Sequence, residues 1–337
     1  MKLVSFLDAG EHTRAGLYVN GKIADLQKHA KLHGFKLPNN MLELLSYGDH
    51  FINQAKKVEQ CLIEDDDWKS DSIKLLAPVP VPPSCRDAYA FRQHVASARR
   101  NRGVDMIPEF DQFPIFYFTN HNAIMGEGDI VLEKDHFNKF DFELEVAAVI
   151  GKPGKNIKAE DADDYIIGYT IMNDLSARLL QMEEMKLNLG PAKGKDFSTV
   201  IGPWLVTKDE LEEYRIETEF GDSYNLKMTA RHNGKQVSEG NMKDMTWTFA
   251  EIIERASYGV ELKPGDVIGS GTVGTGCYLE LNGTWAREAK ERGEDFTPVW
   301  IEPGDEMELE IEGLGVLKNK FLLSDEDYSI LAKKKNV

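Results

Sequence analysis

Two glutamates lie two positions apart in the apolar run FDFELEVAAVI, which occupies positions 140–150. Because side chains alternate between the two faces of a β-strand, Glu143 and Glu145 are predicted to share a face with Ala147 and Val149. Same-face neighbours lie roughly 6.5–7 Å apart, so both carboxylates can converge on one hard cation that prefers oxygen ligands. A charged strand face in solvent is the alternative, and the pair alone does not decide between them.

Asp174 adds a third acidic group at the end of another apolar run, YTIMND. The sequence from Asn173 to Ser176 is typical of a corner between a buried strand and a helix, where an aspartate often caps the helix. Alternatively, the three acids supply most of a carboxylate cage for Mg²⁺, Mn²⁺ or Ca²⁺. Such a cation would offset the cost of burying like charges together.

The segment CRDAYAFRQHV contains an acid and a histidine seven residues apart, Asp87 and His94. If both lie on one helix, this spacing of about two turns places them on the same face. In a structural interpretation Asp87 caps the helix and His94 lies at the surface. In a functional interpretation Asp87 points at the metal and His94 is a general base beside it.

The elements that must position these residues are predicted to be mostly strands. At the N-terminus the sequence indicates a strand, LVSF, then a hairpin turning at Asn20-Gly21, and one short helix in PNNMLELLSYGDHF. The proline-rich LLAPVPVPPSCRD cannot continue a helix or a central strand. It divides a small β-rich domain, residues 1–77, from a second domain, residues 78–337.

The second domain is predicted to be α+β and rich in mixed or antiparallel sheet, because helices are expected only at 88–100, within 175–187 and at 246–257. The motif GSGTVG at 269–274 fits the GxGxxG pattern of dinucleotide sites. The following TGCYLELNG is predicted to be a strand, however, whereas such a site requires a helix there.

Composition limits the classes of partner and the compartment. The 337 residues are 42% hydrophobic and carry a formal net charge of -17, which disfavours nucleic acid and anionic lipid as partners. The first residues do not fit a signal peptide, and no apolar run approaches the roughly 20 residues that cross a bilayer. Three cysteines without CxxC spacing indicate reduced thiols in a cytoplasmic protein.

Five motifs occur in the order DAYAFRQH, FELEVAAVIGK, MNDLSARLLQ, GKDFSTVIGPW and SGTVGTGCYLEL. Together they resemble the fumarylacetoacetate hydrolase family, from about Pro78 to Lys320. The resemblance implies a catalytic domain of mixed β-sheet and β-roll, a small β-rich N-terminal domain and a homodimer. It also implies that Asp87, Glu143, Glu145 and Asp174 hold Mg²⁺ or Ca²⁺.

The same resemblance implies catalytic roles at four further positions. His94 matches the base that takes a proton from water, and Glu280 matches the acid that orients it. Gln181 and Lys195 match polar groups near the substrate oxygens and the leaving group.

Substrate contacts are implied at Tyr89, Thr272 and, less closely matched in spacing, Tyr117. The family's arginine for a substrate carboxylate would fall on Gly103 here, and a shift of one residue would place Arg102 in that role. This departure leaves the chemistry better supported than the substrate.

The predicted function is metal-dependent hydrolysis of a C–C bond in fumarylacetoacetate or a related 2,4-diketo acid, in aromatic catabolism. A divalent cation would polarise the diketone while His94 activates water. The resemblance also admits an acylpyruvate hydrolase, an oxaloacetate decarboxylase, or an isomerase or decarboxylase of hydroxymuconate-type acids. A non-catalytic metal- or ligand-binding protein is the alternative from another class.

Overall fold

Helices and strands alternate irregularly in the computed structural model, which describes residues 1–65, 67–71, 74–331 and 335. The helices are α1 (Leu26–Leu32), α2 (Met41–Ser46), α3 (Asp49–Glu64), α4 (Arg92–Asn101), α5 (Ala159–Ala162), α6 (Arg178–Met185), α7 (Phe249–Ser257) and α8 (Tyr278–Arg292). The strands are β1 (Lys2–Leu7), β2 (Thr13–Val19), β3 (Lys22–Asp25), β4 (Lys74–Leu76), β5 (Cys85–Ala88), β6 (Phe116–Thr119), β7 (Ile124–Met125), β8 (Gly128–Leu132), β9 (Phe140–Asp141), β10 (Leu144–Ile150), β11 (Gly154–Lys155), β12 (Ile166–Asp174), β13 (Ser176–Ala177), β14 (Thr199–Thr207), β15 (Arg215–Thr218), β16 (Gly221–Tyr224), β17 (Lys227–His232), β18 (Lys235–Asn241), β19 (Glu261–Leu262), β20 (Val267–Gly269), β21 (Glu306–Ile311) and β22 (Gly315–Leu323). This composition confirms the predicted α+β class.

The largest sheet has eleven strands, nine of them in the order β3-β2-β1-β14-β12-β10-β20-β5-β6, with β4 beside β1 and β7 beside β14. Most pairs are antiparallel, but β20 with β5 and β14 with β7 are parallel, so the sheet is mixed as predicted. A second sheet has the order β18-β17-β21-β22-β8. Strand β1 pairs with β14, so the N-terminal residues belong to the eleven-stranded sheet. The domain boundary near residue 78 stays a prediction.

The N-terminal segment contains more helix than predicted. The hairpin of β2 and β3 is confirmed, and its two turn residues, Asn20 and Gly21, have φ of +50° and +79°. These positive angles are those of a primed turn, which glycine and asparagine tolerate. The short helix α2 is also confirmed, whereas α1 and α3 were not predicted.

Strand β10 is buried on both faces. Val146 and Ala148 belong to a core that includes Leu309 and Phe321 of the second sheet. Ala147, on the other face, belongs to a core formed with helices α2 and α3. The strand face that carries Glu145 is therefore buried further along the strand. The charge of the Glu145 carboxylate needs a partner close by, since solvent cannot compensate it.

Two local predictions around the site are wrong. The helix predicted at 88–100 is present as α4, but it begins only at Arg92, so Asp87 does not share a helix with His94. Asp87 lies on strand β5, because hydrogen bonds to β6 and β20 hold this segment extended. The segment at 278–281 is the first turn of helix α8 rather than a strand.

The helices predicted within 175–187 and at 246–257 are confirmed as α6 and α7. The N-terminus of α7 has a capping box between Thr248 and Glu251, in which each side chain accepts from the other residue's backbone. Among the residues that the structure describes, no helix is both long and apolar enough to cross a membrane.

Candidate metal centre and catalytic site

Four buried carboxylates converge at one edge of the large sheet. Asp87 lies on β5, Glu143 directly precedes β10, Glu145 lies within it, and Asp174 ends β12. Because β12, β10, β20 and β5 are consecutive in the sheet, residues far apart in sequence become neighbours. One oxygen of each group lies within 4.8 Å of the others.

Gly269 on β20 leaves the space that lets two of these carboxylates meet. A Cβ at this position would lie 2.6 Å from Oδ1 of Asp87 and 2.9 Å from Oε2 of Glu145. The N–H of Gly271 donates to the same two atoms, at 3.1 and 3.2 Å. Gly269 and Gly271 of the GxGxxG pattern therefore support the carboxylates. A helix, α8, follows the pattern in place of the predicted strand.

Lys195 and Tyr117 contact the cluster directly. Nζ of Lys195 lies 2.5 Å from Oε2 of Glu143 and 2.6 Å from Oδ2 of Asp174. The hydroxyl of Tyr117 donates to the same Asp174 oxygen. Both residues are thus placed to orient a carboxylate, while their roles toward a substrate stay predictions.

Most of the negative charge in the cluster is not compensated by the protein. Burial and the neighbouring Asp174 raise the pKa of Asp87 to about 8. Burial and Asp87 raise the pKa of Glu145 well above its usual value. Burial also raises the pKa of Asp174 despite Lys195. Only for Glu143 do Lys195 and Arg178 outweigh burial, which lowers that pKa to about 2.

The residues present fit a divalent cation. Oδ1 of Asp174 is buried and has no hydrogen-bond partner among the residues that the structure describes. Carboxylate oxygens are the ligands that Mg²⁺, Mn²⁺ and Ca²⁺ prefer. A dication would also restore the ionised forms that burial disfavours, so the cluster could hold one.

Removal of metal ions is expected to make folding stability depend on pH through these acids. The folded protein retains the Asp87 proton up to about pH 8, whereas the unfolded chain releases it near 3.8. The free energy of unfolding therefore falls as pH rises through this interval. The raised pKa of Glu145 acts in the same direction. The lowered pKa of Glu143 acts in the opposite direction, because it adds stability as pH rises through the usual glutamate pKa of 4.5. It therefore opposes the fall only at the acidic end of the interval.

Urea unfolding in EDTA across this interval measures the slope, and Asp87→Asn should reduce it. Saturating Mg²⁺ should reduce the slope of the wild-type protein as well. Equal slopes for the wild-type protein and the variant in EDTA would contradict the assignment of this proton to Asp87.

His94 and Glu280 form a buried pair beside the cluster. His94 lies on α4 and Glu280 in the first turn of α8, and Nδ1 of the imidazole is 2.6 Å from Oε2 of the carboxylate. The N–H of Thr275 donates to the same oxygen at 3.1 Å. With Nδ1–H donating to Glu280, Nε2 carries the lone pair and can accept a proton.

The remaining predicted contacts lie at different distances from this centre. Oγ1 of Thr272 is 3.4 Å from Oε1 of Glu145, and Tyr89 packs edge-on against His94 with ring centroids 6.0 Å apart. Arg102 is exposed at the end of α4, where its Nε donates to a backbone carbonyl. Their contacts with a substrate stay predictions.

Two charged residues at the site were not identified from the sequence. Arg178 donates to Oε1 of Glu143 at 2.7 Å and to Oδ2 of Asp141 at 2.8 Å, and its Nη1 donates to Gln181 at 3.0 Å. The sequence contains a recognisable signal for both Asp141 and Arg178. Asp141 extends the alternation of Glu143 and Glu145 by one step, and Arg178 interrupts the apolar run LSARLL.

A buried carboxylate cluster that could bind a divalent ion, set on a mixed sheet next to a histidine, defines an enzyme superfamily rather than one reaction. The fumarylacetoacetate (FAA) hydrolase C-terminal family model matches residues 84–322, which include all four carboxylates and His94. The chain belongs to the fumarylacetoacetate hydrolase family.

Individual relatives within this family share nearly the whole chain. Oxaloacetate tautomerase YisK of Bacillus subtilis is 30% identical over 311 residues, which cover 89% of this chain and 92% of the relative. The mitochondrial oxaloacetate tautomerase fahd2 of Xenopus laevis is 31% identical over 325 residues, 95% of this chain and 89% of the relative. The solved fumarylacetoacetate hydrolase of Exiguobacterium antarcticum superposes with a TM-score of 0.67 at 23% identity, covering 96% of this chain and all of that chain, and shows the shared fold.

Proposed function

We propose that the protein is a metal-dependent enzyme that moves a proton between carbon and oxygen in a 2-oxo dicarboxylic acid, with oxaloacetate as the leading substrate. The observation that carries this proposal is the His94–Glu280 pair, held at 2.6 Å beside four carboxylates. Relatives that are named oxaloacetate tautomerases, and that match along 89% or more of this chain, support the choice of substrate.

Asp87, Glu143, Glu145 and Asp174 would hold the cation, with Mg²⁺ the first choice and Mn²⁺ or Ca²⁺ as alternatives. When bound, a divalent cation supplies polarisation of the 2-oxo group and stabilisation of the negative charge that develops on its oxygen. The protein's own residues then have to move the proton.

His94 is placed to carry that proton. Nε2 takes it from the carbon next to the ketone, and the electron pair of the C–H bond forms the C=C bond of the enol. The imidazolium then gives the same proton to the ketone oxygen, which restores neutral His94. Glu280 keeps Nδ1–H oriented and stabilises the transient imidazolium. The ammonium group of Lys195, which contacts Glu143 and Asp174, supplies fixed positive charge near the oxygen that becomes negative.

The far carboxylate of such a substrate needs a cation of its own. Burial raises the pKa of Tyr89, while Arg102 and Glu143 act on its hydroxyl with opposite sign. The ring of Tyr89 packs edge-on against His94 of α4, and Arg102 follows the last residue of the same helix. We assign Arg102 to the far carboxylate, and the expected outcome of Arg102→Met is a rise in KM for oxaloacetate.

Hydrolysis of a C–C bond in a 2,4-diketo acid is the second candidate. The same His94–Glu280 pair favours it, because a base that abstracts a proton from carbon can also abstract one from water. A water molecule would then attack one carbonyl, and the enolate of a 2-oxo acid would leave.

The two candidate functions, tautomerase and hydrolase, are tested by separate assays with the enol of oxaloacetate and with a panel of acylpyruvates. Each assay is run in Mg²⁺ and in EDTA. Accelerated enol–keto conversion that stops in EDTA and returns with Mg²⁺ is expected. Turnover of acylpyruvates alone would favour the hydrolase. If no compound is converted, both candidates fail, and a non-catalytic metal-binding member is then one of the remaining alternatives. A homodimer in the cytoplasm remains part of the proposal, for which sedimentation of the purified protein tests the dimer.

A further inference from the structure

A buried ion pair that the proposed reaction does not use lies next to the carboxylate cluster. Asp141 is 0% exposed on β9, and Arg178 is 2% exposed at the start of α6. Nε of Arg178 donates to Oδ2 of Asp141 at 2.8 Å. Burying two charges is costly unless further hydrogen bonds satisfy both groups, and both Asp141 and Arg178 have such further partners.

On one side, Asp141 holds the N-terminus of helix α8. Its Oδ1 accepts from the N–H of Tyr278 at 2.7 Å, and its Oδ2 accepts from that of Leu279 at 2.9 Å. The residue at the N-cap, Cys277, makes no capping bond with its own side chain. A carboxylate from another strand thus satisfies the free amides of the first turn and meets the positive end of the helix dipole.

On the other side, Arg178 holds a carboxylate of the cluster. Its Nη2 donates to Oε1 of Glu143 at 2.7 Å, while Lys195 binds the opposite oxygen. The guanidinium therefore divides its charge between Asp141 and Glu143. Without Asp141, the whole charge of a buried arginine would fall on Glu143.

We propose that Asp141 is a positioning residue that fixes the proton-transfer pair and the metal centre relative to each other. Glu280 lies in the first turn of α8, so the capped amides set the place from which it orients His94. The bridge through Arg178 sets the orientation of Glu143. This inference rests on the proposed function only for its kinetic part.

Asp141→Asn removes the charge at nearly constant shape, and Mn²⁺ titration of the metal-free protein measures its effect on the centre. We expect the affinity for Mn²⁺ to fall by about 10–100-fold, the usual cost of disturbing an outer partner of a metal ligand, because the loss of Asp141 disturbs Arg178, the partner of Glu143. We also expect faster hydrogen exchange at the amides of Tyr278 and Leu279. With saturating Mn²⁺, kcat should fall while KM for oxaloacetate stays nearly constant.

Asp135→Asn is the matched control. Asp135 is also a buried aspartate that accepts from backbone amides, those of Ile330 and Leu331, and it is not one of the four grouped carboxylates. The Asp135→Asn substitution should lower the melting temperature without changing Mn²⁺ affinity or kcat. Unchanged Mn²⁺ affinity and unchanged amide exchange in Asp141→Asn would overturn the proposal, as would the same kinetic change in both variants.

Arg178→Lys is the second variant, in case Asp141→Asn does not fold. A single ammonium group cannot reproduce the donors that Arg178 presents to Asp141 and Glu143, so weaker Mn²⁺ binding is again expected. Wild-type affinity in this variant would also contradict the inference. Because Mn²⁺ binding and amide exchange need no substrate, both remain decisive even if the wild-type protein does not convert oxaloacetate.

Discussion

Replacing Glu143 and Glu145 together with glutamine is expected to abolish divalent-metal binding and, with it, turnover. The two residues supply half of the four carboxylates, and affinity for hard cations depends strongly on the number of charged oxygen ligands. The expected loss of affinity is on the order of a thousandfold or more. Titration of the metal-free protein with Mn²⁺ measures it directly, and a steady-state assay in saturating Mg²⁺ measures the loss of activity.

The chain contains a second pair of glutamates with the same spacing, which serves as the control. Glu308 and Glu310 lie on β21, half-buried, and both accept from Arg231. Their replacement with glutamine should leave Mn²⁺ affinity and turnover unchanged. If the Glu143 and Glu145 double variant binds Mn²⁺ as the wild-type protein does, the carboxylate cluster does not hold the metal.

These two pairs show what alternation along a strand can and cannot predict. In both, the glutamates share one face, as the period of two requires. Arg231 compensates one pair at a half-buried face, whereas the other meets Asp87 and Asp174 from neighbouring strands. The order of strands in the sheet decides between these outcomes, and local sequence does not contain it.

The same limit explains the wrong prediction at CYLEL. Tyr278 and Glu280 alternate with leucines, which fits a strand, and no favourable residue precedes them at the N-cap. The helix forms there because Asp141, on a distant strand, accepts from its first amides. Likewise, Asp87 is extended because β6 and β20 pair with its segment. Contacts of long sequence separation override local preference at both positions.

Helix α3 was missed for a different reason, since its pattern is local and readable. Its buried residues Ile52, Ala55, Val58 and Leu62 follow the spacing of three and four that is typical of an amphipathic helix. The ordered motifs, in contrast, supported the correct family and an arrangement in which the four predicted carboxylates meet. Motif order carries tertiary information that periodicity lacks.

His94→Asn is expected to lower kcat by about 10²–10⁴-fold, the usual contribution of a general base, while Mn²⁺ affinity stays close to that of the wild-type protein. The reason is the separation of roles at the site. The imidazole is held by Glu280 through Nδ1 and is not among the four grouped oxygen donors, so its loss removes the proton carrier and leaves the cluster intact. Asparagine is similar in size to the first part of the imidazole but cannot accept and release a proton at neutral pH.

His29→Asn is the matched control for this variant, because His29 is also a buried histidine paired with a carboxylate, Asp71, at 3.2 Å, within the N-terminal segment. It should leave kcat unchanged even if it lowers the melting temperature. Full turnover in His94→Asn would exclude His94 as the proton carrier. A parallel loss of Mn²⁺ affinity and kcat would instead mean that His94 acts by holding the metal centre in place, since a base that only transfers protons has no effect on metal binding.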